Sequence, residues 1–526
     1  MPSSPRRPLL ACTGWALLLL CALSLPAAAQ GRGAQSFAYE PAATDPLPVK
    51  TTHSITVNGR TLSYSAEVGK IAIPDASGKT MGHMFYVAYI LDNPTPGRPR
   101  PVTFSYNGGP GSDSVYVHMG GFGPRRVLLN DDGSNPAPPY QIVDNADTWL
   151  NSTDLVFVDA IGTGYSRATS HQTLMQAATA QGDLECFAQF VRLWLYQNNR
   201  LNSPLILAGE SYGTFRSAGL AYVLWQHHLP LSGVVLLSTA INMATITASY
   251  SDDLPYWLAL PTQTAIAWHF HKLPPKLQQE SLPQVVEQAE QWAQTQYEHD
   301  LDLGGQLQGA ERQQALSQMA GYTGLSPQLL NSWNLRLSTG VFDASLLRSQ
   351  RETIGRYDGT VTGEVQTPGA TNPQYDASDL LSTPYLHEFV NYLKDELNYK
   401  DTTEYGDRGM GGAGIPSWTY NIGGTGGAGG WGARGGGNDT SQDLANVFDQ
   451  DPSLRLMVCQ GYFDQATPVL EARYAVRHLF ISPAEYKHVT FETYMSGHMI
   501  YAHKDSRAKL RQDFDTFVSS LPAMAK

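Results

Sequence analysis

Three separated stretches of the chain carry residue types that together perform acyl transfer. The first is Gly209-Glu210-Ser211-Tyr212-Gly213, which follows the apolar run Leu205-Ile206-Leu207-Ala208 and precedes a helix-like stretch from Thr214. A serine on so sharp a strand-to-helix turn is displayed at the carboxyl edge of a sheet, and the flanking glycines leave room for the backbones to pack closely. The positive end of the following helix then faces the negative charge that develops on an attacked carbonyl. A serine hydroxyl is a weak nucleophile, so it needs a base, and the base needs an acid to fix its tautomer. Asp464 ends Gly461-Tyr462-Phe463-Asp464, just past the strand-like Leu456-Met457-Val458-Cys459-Gln460. His498 sits in Gly497-His498-Met499, just past another strand-like run that includes Phe491 and Thr493. Serine, acid and histidine in that chain order suit a nucleophile on such a turn. The other histidines fit less well: His227-His228 end a helical pattern, His269 and His271 lie in a predicted insertion, and His503 is in a more polar stretch. A fourth stretch, Phe104-Ser105-Tyr106-Asn107-Gly108-Gly109-Pro110-Gly111, empties a strand into paired glycines. It predicts an oxyanion hole made by the N–H groups of Gly109 and Tyr212. No third ligand of matching context accompanies any histidine pair, so neither a metal nor another cofactor is expected.

The elements that must hold these residues can be read from apolar patterning. Short, continuous apolar runs at Leu155–Val158, Leu205–Ala208 and Val234–Leu237 suit parallel strands buried on both faces. Met84–Leu91 and Val102–Tyr106 are further strands, and Ile55-Thr56-Val57, Asn58-Gly59 and Leu62-Ser63-Tyr64 predict a hairpin. Leu184–Leu195 carries Phe187, Phe190, Val191 and Trp194 at helical spacing. Alternating strands and helices imply an α/β fold built on a mostly parallel central sheet flanked by helices. From about residue 246 the texture changes, and residues 275–345 are rich in Gln, Leu, Glu and Ala. This predicts a large, mainly helical insertion over 246–440, interrupting a core that spans 49–245 and resumes over 441–526. The stretch 404–438 is close to half glycine and lacks the strand-then-helix context of a nucleotide loop, so a surface loop is expected. Trp418, Tyr420 and Trp431 within it either pack that loop down or touch substrate. A closing helix is expected near Phe514–Leu521.

Taken together the motifs resemble the serine carboxypeptidases, the S10 peptidases of the α/β-hydrolase fold. The resemblance rests on Asn107-Gly108-Gly109-Pro110-Gly111, Gly123-Pro124, Val156-Phe157-Val158-Asp159 with Gly162 to Ser166, Gly209 to Gly213, Gly461 to Asp464, and Gly497-His498-Met499, in family order. It implies that Asn107, the backbone of Gly108, and Glu210 bind the terminal carboxylate of a peptide substrate. A protonated Glu210 donates a hydrogen bond to that carboxylate, whereas an ionised one repels it. Three positions depart from the family pattern. Gly121 stands where a second glutamate is common, Ser112 where a cysteine is, and Tyr501 where proline usually follows the His-Met pair. These changes fit a bacterial-type relative with fewer disulfides.

Composition sets the outer limits. Apolar residues make up 42% and charged residues 16%, which excludes a disordered or coiled-coil chain. The formal net charge of −12 argues against nucleic acid or an anionic membrane as the main partner. Arg6 and Arg7, an apolar run from Leu9 to Leu25, and Ala27-Ala28-Ala29 form a secretory signal with cleavage expected after Ala29, followed by a loose leader over 30–48. After cleavage no membrane anchor remains, which points to secreted or periplasmic residence. Of four cysteines, Cys12 and Cys21 leave with the signal. Cys186 and Cys459 remain, best read as two buried thiols and able to form at most one disulfide. The resulting expectation is a serine carboxypeptidase acting on peptides with a free C-terminus. An esterase or acyltransferase on the same scaffold is the alternative, and a non-catalytic secreted binding protein the rival from another class.

Overall fold

The computed structural model describes residues 45–522, except 58, 76, 93–98, 250, 366, 368, 407–417 and 421–437. The expected signal and nearly all of the leader, most of the glycine-rich loop and Trp431 lie outside the described residues. The central sheet contains β1 (Val49–Val57), β2 (Arg60–Pro74), β3 (Thr80–Leu91), β4 (Val102–Tyr106), β5 (Asp154–Val158), β6 (Leu205–Glu210), β7 (Gly233–Leu237), β8 (Arg455–Gly461) and β9 (Val489–Tyr494). Their spatial order is β1-β2-β3-β5-β4-β6-β7-β8-β9, with the two-residue strand Arg167–Ala168 also paired to β3. The six strands from β5 to β9 in this order are mutually parallel, and β1, β2 and β3 form an antiparallel edge. This is an α/β-hydrolase fold.

The apolar runs are explained by burial on both faces. Along β6, Leu205 and Leu207 join the core cluster on one face, while Ile206 and Ala208 join the cluster on the other. The first face is covered by α1 (Ala180–Gln197), which contributes Phe187, Phe190, Val191 and Trp194, and by α2 (Tyr212–Gln226). The second face is covered in part by Tyr385 and Phe389 of α4 (Thr383–Asp395) and by Leu510, Phe514 and Phe517 of the closing helix α6 (Lys504–Ser520). Each such large apolar side chain contributes about 1.5–3 kcal/mol on full burial. Helix α1 starts where Thr179 caps the Gly182 N–H at 3.0 Å.

The segment between β7 and β8 is mainly helical. It includes α3 (Leu254–His269), further helices such as Leu282–Trp292 and Gly309–Thr323, and α4. It also holds an antiparallel pair, Glu352–Ile354 with Thr362–Glu364, that its composition did not announce. A third apolar cluster joins α3 and the helices Leu282–Trp292 and Gly309–Thr323 to Phe463, Val469 and Leu470, the last two from α5 (Val469–Arg477), which follows β8. Cys186 and Cys459 are both free and buried. Trp418 and Tyr420 pack on the start of α2: both rings lie against Tyr212, with centroids 5.3 and 6.1 Å away, and Tyr420 also lies 6.0 Å from Phe215.

Candidate active site

Sheet register brings the chemical residues to one edge. Tyr106 pairs with Gly209, Glu210 with Leu237, Leu237 with Cys459, and Gly461 with Tyr494, so β4, β6, β7, β8 and β9 all end at the same level. Ser211 leaves β6 with φ 60° and ψ −128° and caps α2. A non-glycine residue held there carries of order 1–3 kcal/mol of backbone strain, which its surroundings must over-determine. They do so through the Ser211 N–H, which donates to the Leu237 carbonyl at 2.9 Å, and the Thr214 hydroxyl, which donates to the Ser211 carbonyl at 2.7 Å. The turn closes tightly enough that a Cβ on Gly209 would lie 2.0 Å from the Gly213 carbonyl oxygen.

Asp464 follows β8 and is fully buried. Its Oδ1 accepts the N–H groups of Ala466 and Thr467 at 2.9 and 3.0 Å. Its Oδ2 accepts the Thr467 hydroxyl at 2.5 Å and lies 2.8 Å from His498 Nδ1. Four donors thus converge on this one buried carboxyl group and fix its orientation toward the imidazole. Burial alone would lower the proton affinity of His498, but the charge and hydrogen bond of Asp464 outweigh it and the imidazole pKa is raised. The His498 backbone is held from two sides: its N–H donates to the Tyr357 carbonyl at 2.6 Å, and its carbonyl accepts the Ser238 hydroxyl at 2.6 Å. The Tyr357 ring stands 5.2 Å from the imidazole. The same segment is stitched to the Asp464 loop, since Gly359 N–H donates to Phe463 at 2.9 Å and Gln465 N–H to Arg356 at 3.1 Å.

The glycine turn after β4 meets the start of α2. A Cβ on Gly108 would lie 2.4 Å from the Tyr212 nitrogen, so only glycine permits this approach. Among the described residues no protein acceptor takes the N–H of Gly109 or of Tyr212. Arg216 of α2 fixes the turn by donating to the Asn107 carbonyl at 2.7 Å, while its guanidinium pairs with buried Asp183 at 2.7 Å and lies 4.3 Å from the Phe187 ring centroid. Asn107 in turn donates from Nδ2 to Glu210 Oε1 at 2.7 Å and accepts the Val117 N–H at 3.0 Å. Glu210 is buried, and burial pushes its carboxyl pKa up to about 7, against a counteracting pull from His498. Among the described residues no full hydrogen bond reaches its Oε2, although the Tyr501 hydroxyl lies close enough to interact with the carboxyl.

The structure therefore pairs Asp464 with His498 at the sheet edge where the Ser211 turn also ends, with no hydrogen bond joining Ser211 to His498 among the described residues, and it gathers a second group from Asn107, Gly108, Gly109, Glu210 and Tyr212. It adds residues that patterning had not singled out. Thr467 bridges the acid and the imidazole region, and Tyr357 comes from the helical segment. Thr467 sits three residues past Asp464, which was the one available signal for it. Tyr357 carried none. His503, set aside in the sequence, pairs with Asp358 at 2.7 Å and lies outside the Asp464–His498 pair.

The Serine carboxypeptidase family model matches residues 64–339, more than half of the chain, and the chain belongs to that family. That span includes Asn107 to Gly109 and Glu210 to Tyr212 but ends before Asp464 and His498, whose pairing is read from geometry. Among curated relatives, 145 residues are 29% identical to the serine-type carboxypeptidase F of Aspergillus niger, covering 27% of this chain and 24% of that one. A stretch of 133 residues is 30% identical to the pheromone-processing carboxypeptidase KEX1 of Meyerozyma guilliermondii, covering 25% of this chain and 18% of the relative. The matches thus span a quarter or less of those relatives' lengths. Among solved structures, the prohormone-processing carboxypeptidase Kex1(delta)p of Saccharomyces cerevisiae aligns with a TM-score of 0.49 at 15% identity, covering 88% of this chain and 93% of that one. A proline iminopeptidase of Mycobacterium smegmatis aligns with a TM-score of 0.35 at 12% identity, over 86% and 97% of the two chains.

Proposed function

We propose that this chain is an exported serine carboxypeptidase that releases C-terminal amino acids from peptides through an acyl-enzyme. The observation that carries the reading is the Asp464–His498 pair at 2.8 Å, set at the same sheet edge as the strained Ser211 turn and beside the buried Glu210–Asn107 pair at 2.7 Å. Ser211 attacks the carbonyl of the last peptide bond. His498 takes the hydroxyl proton through Nε2 and returns it to the leaving amino group, while Asp464 holds Nδ1 and stabilises the imidazolium. The Gly109 and Tyr212 N–H groups receive the oxyanion, each worth about 3–4 kcal/mol of barrier. Water then attacks the acyl-enzyme, with His498 again as base, and Ser211 is regenerated.

Recognition of the free carboxylate falls to Glu210, Asn107 and the Gly108 backbone. With its pKa pushed up to about 7, Glu210 is largely protonated at acid pH and about half so at neutral pH, and in the protonated form Oε2 is available as a donor. Residues 246–440 cap the cleft and select the side chain. Residues 1–29 act as the export signal. Among the described residues no helix is long and apolar enough to cross a membrane.

Digestion of peptides with free and amidated C-termini, read by mass at pH 4 through 8, tests the reading. Stepwise loss from free ends only is the expected result. Equal cleavage of both, or activity confined to esters, replaces it with the esterase or acyltransferase alternative. Ser211→Ala is expected to remove most turnover and all labelling by a fluorophosphonate while leaving the fold intact. Unchanged turnover refutes the nucleophile.

A further inference from the structure

A buried polar atom without a partner is uncommon in a native fold and calls for a physical reason. Three such oxygens belong to one neighbourhood: Glu210 Oε2, the Tyr501 hydroxyl and the Tyr385 hydroxyl. All three side chains are buried, and the two tyrosines are fully so. Their proximity shows in their interactions: the Tyr501 hydroxyl lies within interaction range of the Glu210 carboxyl and the Asn107 side chain, and both tyrosines feel the Glu210 charge. In this geometry no full hydrogen bond closes on Glu210 Oε2 or on the Tyr501 hydroxyl, although the two groups lie close enough to interact.

The placement of Tyr501 is built into the backbone opposite. A Cβ on Gly120 would lie 2.3 Å from Tyr501 Cε2, and one on Gly121 would lie 2.6 Å from Tyr501 Cβ. The ring therefore rests on bare main chain and occupies the space that side chains at 120 and 121 would need. Phe122 meets its edge, with centroids 5.7 Å apart. A phenol so held has little rotamer freedom left, so packing aims its hydroxyl toward Glu210 and Asn107. Glu210 is oriented likewise: Asn107 occupies Oε1 and leaves Oε2 open. Two fixed donors with no acceptor between them describe a site for an acceptor-only, two-oxygen anion.

We propose that Tyr501 is a substrate-recognition residue whose hydroxyl donates, alongside Glu210 Oε2, to the free C-terminal carboxylate of a peptide bound beside Ser211. The assignment rests on the carboxypeptidase reading and adds to it a donor of different chemistry. A carboxyl group serves as donor only while protonated. Burial holds the Tyr501 phenol well above its ordinary pKa, so this donor persists throughout the working range.

The test compares wild type with Tyr501→Phe on two substrates: an N-blocked dipeptide with a free carboxylate, and the p-nitrophenyl ester of an N-blocked amino acid, which acylates Ser211 without presenting one. Loss of one hydrogen bond to a charged group predicts a rise of about ten- to a hundredfold in KM for the dipeptide, with a much smaller change in kcat. The ester's kcat/KM is expected to move by less than about twofold. Because Phe keeps the ring over Gly120 and Gly121 and removes only a hydroxyl that closes no full hydrogen bond, the urea midpoint should not fall. Equal losses on both substrates, or a lowered midpoint, make Tyr501 a packing residue and overturn the proposal. Unchanged kinetics on both overturn it as well, while leaving the carboxypeptidase reading in place. A wild-type enzyme that cleaves the ester but ignores the dipeptide removes that reading and this assignment together.

Discussion

Replacing Glu210 by Gln separates the charge of this carboxyl from its shape. Gln keeps an oxygen to accept from Asn107 Nδ2 and an amide to donate where Oε2 stands, but it cannot titrate. The structure sets the size of the effect. Burial lifts the carboxyl from 4.5 to about 7, which at about 1.4 kcal/mol per tenfold in proton affinity amounts to about 3 kcal/mol. Below pH 4.5 both the folded and the unfolded chain hold the proton, and Glu210 costs nothing. Between 4.5 and 7 the unfolded chain ionises while the folded one does not, so stability falls as pH rises. Above 7 the full cost persists. Glu210→Gln should therefore gain about 3 kcal/mol on wild type between pH 4 and pH 8, measured by urea unfolding at each pH. The raised affinity of His498, which the Glu210 charge supports, returns part of that difference. The same substitution should flatten the alkaline limb of kcat/KM on free-carboxylate peptides, because that limb follows ionisation of Glu210. Parallel stability curves for the two proteins across this range would refute the reasoning, since a buried carboxyl that costs nothing to ionise is not desolvated.

Two further substitutions probe the supports of the site. Thr467→Val removes a donor to Asp464 Oδ2, and should lower kcat/KM about ten- to a hundredfold on both free-acid and ester substrates without altering carboxylate preference; an effect confined to KM for the free acid would contradict the geometry. Arg216→Met leaves Asp183 buried without its cation, and should cost about 3–5 kcal/mol in urea unfolding, with most of it recovered when Asp183→Leu is added. A loss below about 1 kcal/mol would mean that the pair is better hydrated than its burial indicates.

The parallel strands were legible because burial on both faces leaves an unbroken apolar signature, as in Val102–Tyr106 and Leu205–Ala208. The second strand was only half legible. β2 runs on to Pro74 through Glu67, Gly69 and Lys70, residues that depress a strand reading. Glu67 is tolerated there because the Tyr86 hydroxyl donates to it at 2.5 Å and Lys50 pairs with it at 2.7 Å, partners that a linear reading does not supply. The motifs at 107–111, 209–213, 461–464 and 497–499 could be found because each is local and follows a strand. Tyr501 was visible only as an unexpected residue after Met499. Its seat on Gly120 and Gly121 depends on two segments that are adjacent in space and remote along the chain. The short pair Glu352–Ile354 and Thr362–Glu364 was missed for a related reason: three-residue strands carry too little periodicity to stand out from a helical background.

The backbone carbonyl of Tyr357 grips the amide of His498 from within the long helical excursion, and its neighbours clasp the loop that bears Asp464. On the proposed mechanism, exchanging that excursion would therefore also disturb the Asp464–His498 pair. A graft that moved residues 356–359 by an ångström would detune the imidazole along with the walls of the cleft, so specificity and turnover in this chain are expected to drift together when the excursion is remodelled.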